Sequence, residues 1–186
     1  LLSKAVEHIP HEGAALLVCN HFSFVDAVIL MGAAPRPIRF VMDHRIFKVP
    51  FLSYIFRHSG AIPIASAKED PAMMEGAFSE VQKALAAGDL VALFPEGGIT
   101  QDGEMQPFRP GISRILSVSP VPVVPVALSG LWGSYFSRVD GAAMKTPFRR
   151  GLFSTVRLSA GQALSPALAT PEHLRNIVLA LRGSEK

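Results

Sequence analysis

The run Asn20-His21-Phe22-Ser23-Phe24-Val25-Asp26 sets a histidine and an aspartate where a strand-like apolar stretch, 14–19, gives way to a helical pattern. Residues spaced i, i+5 do not share a face within one helix. The two side chains therefore meet only if His21 sits in the turn and Asp26 reaches back from the first helical turn. In that arrangement a carboxylate fixes the histidine tautomer through one ring nitrogen while the other nitrogen takes a proton. No serine or cysteine motif of the nucleophile-elbow type lies nearby, so such a base would act on a hydroxyl of the substrate. The same residues also read as a helix start: Ser23-x-x-Asp26 ahead of Ala27-Val28-Ile29-Leu30-Met31 is an acceptable capping box, with His21 a turn residue. One aspartate can serve both purposes.

A second constellation, Phe94-Pro95-Glu96-Gly97-Gly98, closes the apolar run 90–94. A proline, an acid and two glycines at a strand end make a tight turn whose free backbone N–H groups can face an anion or an oxyanion. Taken alone, it reads as a sharp loop with Glu96 solvated. A metal site from His21, Asp26, His44 and Glu96 is possible on residue type, but no ligand spacing supports it, and none is expected. Cys19, the single cysteine, excludes an intrachain disulfide, fits a reducing compartment and reads as a buried small hydrophobe.

The elements that must position these residues alternate between strand and helix. Strands are expected at 14–19, 38–42, 61–65, 90–94, 121–128 and 155–162. Helices are expected at 24–33, 51–58, 72–87, 111–118 and 172–182, with Pro71 at one start and Gly88 at its end. This alternation predicts one α/β domain, 1–186, with a central, mostly parallel mixed sheet flanked by helices and sites at the strand C-terminal ends. Both His21 and Glu96 fall at such ends. A chain that begins at Leu1 reads as a domain excised from a longer one.

Composition narrows the partners. Hydrophobic residues make up 49% and charged residues 18% of the 186, against a usual charged quarter, and the mean hydropathy is +0.32. That excess implies a large core or an apolar surface that meets lipid or a long-chain ligand. The net charge of +3 suits an anionic membrane surface, coenzyme A phosphates or an acidic carrier protein, and the scattered cations argue against nucleic acid. The uncharged stretch 115–137 is long enough to span a bilayer, but Pro120, Pro122 and Pro125 make it turn, strand and loop. The domain is expected to lie on a membrane, not through it. Two aromatic clusters, Phe47 to Phe56 and Trp132-x-x-Tyr135-Phe136, read equally as core or as lipid-facing surface.

Asn20-His21-x4-Asp26 followed by Phe94-Pro95-Glu96-Gly97 resembles the glycerolipid acyltransferase family, which includes the 1-acylglycerol-3-phosphate acyltransferases. Gly60-Ala61-Ile62-Pro63-Ile64 is similar to the family's middle block and Val124-Pro125-Val126-Ala127-Leu128 to its last. Phe108-Arg109-Pro110-Gly111 matches its aromatic-basic-x-glycine element. Gly130-Leu131-Trp132-Gly133-Ser134 and Ile99-Thr100-x-Asp102-Gly103-Glu104 are similar to a subgroup fused to a lipid transporter or an acyl-activating domain.

The resemblance implies a peripheral enzyme at the cytoplasmic face of a membrane. It would move a fatty acyl group from acyl-CoA or acyl-carrier protein, used as co-substrate with no cofactor, to a lysophospholipid hydroxyl. The expected product is phosphatidic acid. His21 and Asp26 would be catalytic, and Gly60, Glu96, Gly97, Gly98 and Arg109 would bind substrate. Two departures matter. Many members carry an arginine after the Pro-Glu-Gly turn, where Ile99 stands here, and another at the end of the middle block, where Ser66 stands. Serine or isoleucine cannot replace a guanidinium fork. Either Arg109, Lys68 or Arg114 supplies the charge, or the acceptor is a phosphodiester such as lysophosphatidylethanolamine. The remaining alternatives are a thioesterase and a non-catalytic lipid-binding module.

Overall fold

The apolar runs of the sequence become the middle strands of one sheet. The protein is described by a computed structural model that covers residues 2–23, 25–100, 102–130 and 156–184. Seven strands, β1 (Leu2–Ala5), β2 (Ala15–Cys19), β3 (Ile38–Asp43), β4 (Ile62–Ile64), β5 (Leu90–Leu93), β6 (Val123–Ser129) and β7 (Val156–Ala160), lie in the order β1-β7-β6-β2-β5-β3-β4. The neighbours from β6 to β4 are parallel, β7 runs antiparallel to β6, and β1 is parallel to β7. β2, β5 and β6 are buried along their whole length, as expected of strands covered on both faces.

Successive side chains of a strand point to opposite faces, so each central strand feeds two cores. Leu17, Cys19, Ala92 and Val126 meet Ala27 and Leu30 of α1 (Asp26–Ala33) and Phe56 of α2 (Pro50–His58). Leu16, Val18, Val91 and Ala127 instead meet α3 (Pro71–Ala86), α4 (Gly111–Val118) and α5 (Pro171–Arg182) through Ala77, Val81, Ile112, Leu174 and Val178. The result is a three-layer α/β/α domain. Among the described residues no helix is long and apolar enough to cross a membrane, and the described part of the uncharged stretch, 115–130, holds the end of α4 followed by β6.

Sequence reading missed β1, a short edge strand whose partner β7 comes from the far end of the chain. The first helix starts later than expected, at Asp26, with Val25 at its N-cap and no side-chain cap. Phe56 belongs to the core, with Phe47, Leu52 and Ile55 packed against it, while Val49 and Tyr54 stay exposed. Trp132, Tyr135 and Phe136, with most of the 130–134 segment, lie outside the described residues, as does the start of the 155–162 strand.

Candidate active site

His21 leaves the C-terminal end of β2, and the chain must turn at once to begin α1. Asp26 organises that turn. Its carboxylate is fully buried, and its Oδ2 accepts from the backbone N–H of Phe22 at 2.6 Å and of Ser23 at 2.9 Å. Oδ1 accepts from the Ser23 hydroxyl at 2.7 Å. Only the acid half of the expected capping box forms, because the Ser23 hydroxyl turns inward to the carboxylate instead of capping the helix. Oδ2 also lies 2.9 Å from His21 Nδ1. A carboxylate can only accept, so Nδ1 carries the proton and donates it, and Nε2 is left as the free acceptor.

The histidine is held on every other side. Its ring stacks on Phe94 at the end of β5, with centroids 4.2 Å apart and planes 18° from parallel. Its backbone N–H donates to Glu96 Oε1 at 2.7 Å, and its carbonyl accepts from Thr100 N–H at 3.2 Å. Its side chain is 16% exposed, and Nε2 has no hydrogen bond among the described residues. The pair can therefore take a proton from a ligand hydroxyl without giving up any bond that holds it.

Glu96 lies inside the turn, 6% exposed. Its second oxygen accepts from the Gln106 backbone N–H at 2.7 Å. Burial pushes this carboxyl above the ordinary value, and the backbone hydrogen bonds from Gln106 and His21 pull the other way. Both oxygens are committed to the scaffold, so its visible role is to tie the two motifs together. Gly97 and Gly98 are exposed at the turn, and the N–H groups of Gly98 and Ile99 find no acceptor among the described residues. Arg109 is brought to this turn by the hydrogen bond from its own N–H to the Pro95 carbonyl at 2.9 Å. Its guanidinium lies against Gly97, with no ion pair among the described residues.

The other candidates are spread more widely. Gly60 precedes β4 and is level with the start of β3, where its carbonyl accepts from Arg39 Nε at 2.9 Å. That is the opposite end of the sheet from His21 and Glu96, so the structure does not bring Gly60 to the site. Its positive φ of 70° identifies it as a turn glycine. Arg114 forms a bidentate pair with Glu75 and stacks over Phe78 at 4.0 Å, and Lys68 is exposed after β4. His44 and Arg45 face Glu69.

Asn20 carries more than its place in the motif indicated. Its amide donates to Leu128 C=O at 3.0 Å and accepts from Leu128 N–H at 2.8 Å. The side chain thus extends the β2–β6 ladder by one rung where the backbone departs. A buried asparagine at a strand end, able to both give and accept, was the available signal. Cys19 is buried, and burial first, then the Asp26 and Glu96 carboxylates, push its thiol well above the usual range. A thiol so held is no nucleophile.

A buried Asp–His pair and a glycine turn lie together at the C-terminal ends of adjacent parallel strands, an arrangement able to serve as a general base on an α/β scaffold. The family described as Acyltransferase matches residues 3–129, and the chain belongs to it. A chloroplastic 1-acyl-sn-glycerol-3-phosphate acyltransferase of Brassica napus is 28% identical over 128 residues, 68% of this chain and 36% of the relative. The Borreliella burgdorferi enzyme of the same name is 23% identical over 124 residues, covering 66% and 48%. The fold is that of the 1-acyl-sn-glycerophosphate acyltransferase PlsC from Thermotoga maritima. The TM-score is 0.73 at 23% identity, across 95% of this chain and 67% of that one. This chain thus spans about a third to a half of the length of these two curated relatives.

Proposed function

We propose that this domain transfers a fatty acyl group from an acyl thioester to the free hydroxyl of 1-acylglycerol-3-phosphate, giving phosphatidic acid. The observation that carries the reading is the state of His21: Nδ1 bound to a buried carboxylate, ring stacked, backbone clamped, Nε2 open. His21 Nε2 takes the hydroxyl proton as the acceptor oxygen attacks the thioester carbonyl. Asp26 stabilises the imidazolium that forms. The tetrahedral intermediate collapses with loss of the thiolate, which the imidazolium protonates, so no acyl-enzyme is required.

The acceptor phosphate belongs with Arg109, which approaches Gly97 without a carboxylate partner among the described residues and would stand in for the arginine that Ile99 replaces. The N–H groups of Gly98 and Ile99 offer donors at the same turn. Exposed Lys48, Val49, Tyr54 and Arg57 around α2 suit an anionic lipid surface, which supports a peripheral position at the cytoplasmic face of a membrane.

The test is acyl transfer from radiolabelled palmitoyl-CoA, and from palmitoyl-carrier protein, to a panel of lysophospholipids. Phosphatidic acid should form fastest, and His21→Ala should cost at least about 10²-fold, within the usual worth of a general base. Preference for lysophosphatidylethanolamine would replace the acceptor and favour a remodelling enzyme. Thiol release independent of acceptor would make the domain a thioesterase. Folded protein with no turnover from either donor would leave a lipid-binding module.

A further inference from the structure

The site is tied to a helix that lies beyond the stretch matched to the family. Arg175 stands on α5, outside residues 3–129. Its NH2 donates to the Met105 carbonyl at 2.8 Å, and its Nε lies 3.3 Å from the Gln106 carbonyl. The Met105 carbonyl and the Gln106 N–H belong to one peptide group, and that N–H donates to Glu96 Oε2. A guanidinium therefore grips one end of the peptide dipole and a buried carboxylate the other. The opposite oxygen of Glu96 receives the His21 N–H, and His21 donates in turn to Asp26.

We infer that Arg175 is a positioning residue for the His21–Asp26 pair, acting through the Met105–Gln106 peptide and Glu96. The inference rests on the proposed role of His21 as base. Hydrogen bonds to charged groups are shorter and stronger than neutral ones, and bonds in series polarise one another. Withdrawing electron density at the Met105 carbonyl makes the Gln106 N–H a better donor to a carboxylate that burial otherwise disfavours. It also holds the 102–106 loop in the register that aims Glu96 at His21. Arg182, about two turns further along α5, contacts the same loop at the Gly103 carbonyl, 3.3 Å away. That peptide does not bond Glu96, so Arg182 grips the loop without joining the chain of bonds.

Two readouts on the purified protein test this, one independent of turnover. Backbone amide exchange by NMR should speed up at least about tenfold at His21 and Gln106 in Arg175→Ala, with the β2 and β5 core amides unchanged. With palmitoyl-CoA and 1-oleoylglycerol-3-phosphate, kcat should fall about tenfold at nearly constant KM, because a small displacement of a base is costly while no substrate contact is lost. Arg175→Lys should recover much of both. In a Glu96→Gln background, Arg175→Ala should cost less than about twofold.

Unchanged exchange at His21, an effect on KM alone, or equal losses in both backgrounds would overturn the inference. Should Arg175→Ala not fold, Arg175→Gln and Arg175→Lys carry the same comparison. Should His21→Ala retain activity while the amides respond as expected, the role of His21 fails and the bonded chain stands.

Discussion

The guanidinium of Arg109 lies so close to Gly97 that a Cβ there would overlap its carbon and Nε. Gly97 also has φ of 72°, a conformation that side chains resist. The glycine of the Pro-Glu-Gly turn is thus favoured by the backbone, and it also leaves room for the guanidinium, which a Cβ would push aside.

Gly97→Ala should therefore displace Arg109 as well as strain the turn. If Arg109 holds the acceptor phosphate, both Gly97→Ala and Arg109→Ala should raise KM for 1-acylglycerol-3-phosphate by about 10-fold or more, the worth of a lost charge-assisted contact of about 1.5–3 kcal/mol. KM for the acyl donor should change little. Steady-state kinetics with each substrate varied separately decides this, and a rise confined to the donor would move Arg109 to the thioester side.

Asp26 accepts four hydrogen bonds from buried or half-buried donors, so its replacement should harm fold and activity together. Asp26→Ala leaves the Phe22 and Ser23 N–H groups without an acceptor, at about 1–3 kcal/mol for each one that water cannot reach. His21→Ala should reduce activity as strongly, but with a Tm close to wild type. Thermal unfolding beside kcat for the two variants separates an organising role from a purely chemical one.

Much of this was readable from the chain. The i, i+5 spacing at a strand-to-helix junction gave the one way in which His21 and Asp26 could meet, and the central strands followed from continuous apolar runs. What hid was whatever depends on backbone donors. Nothing in the letters shows that Glu96 spends its oxygens on the N–H groups of His21 and Gln106, because every residue except proline has an N–H. Gly60 sits in a block that resembles the family, yet it precedes the strand expected at 61–65, which in a parallel sheet already puts it at the end away from His21 and Glu96. The β1–β7 pairing was hidden because it joins the two ends of the chain by one short edge strand.

Asn20→Ala should destabilise the domain by about 1–3 kcal/mol through the unpaired N–H and C=O of Leu128, a residue buried in the core. The loss should appear in urea unfolding as a lower midpoint with an unchanged slope. A substitution without effect would mean that water reaches the end of β6.

Glu96 gives a pH signature with a defined sign. Its carboxyl is held above the ordinary value of 4.5 by burial, so between that value and its own the folded state binds more protons than the unfolded chain. Its contribution to stability therefore declines as pH rises through that window and is level above it. Activity has the opposite slope, because a protonated carboxyl has only one full acceptor to offer the two N–H groups it bridges. Wild type should thus lose stability relative to Glu96→Gln as pH climbs from 4.5 through the raised value, while its kcat increases over the same range. Paired Tm and kcat profiles of the two proteins check this, and parallel Tm profiles would show that Glu96 titrates no differently in the folded protein than in the unfolded chain.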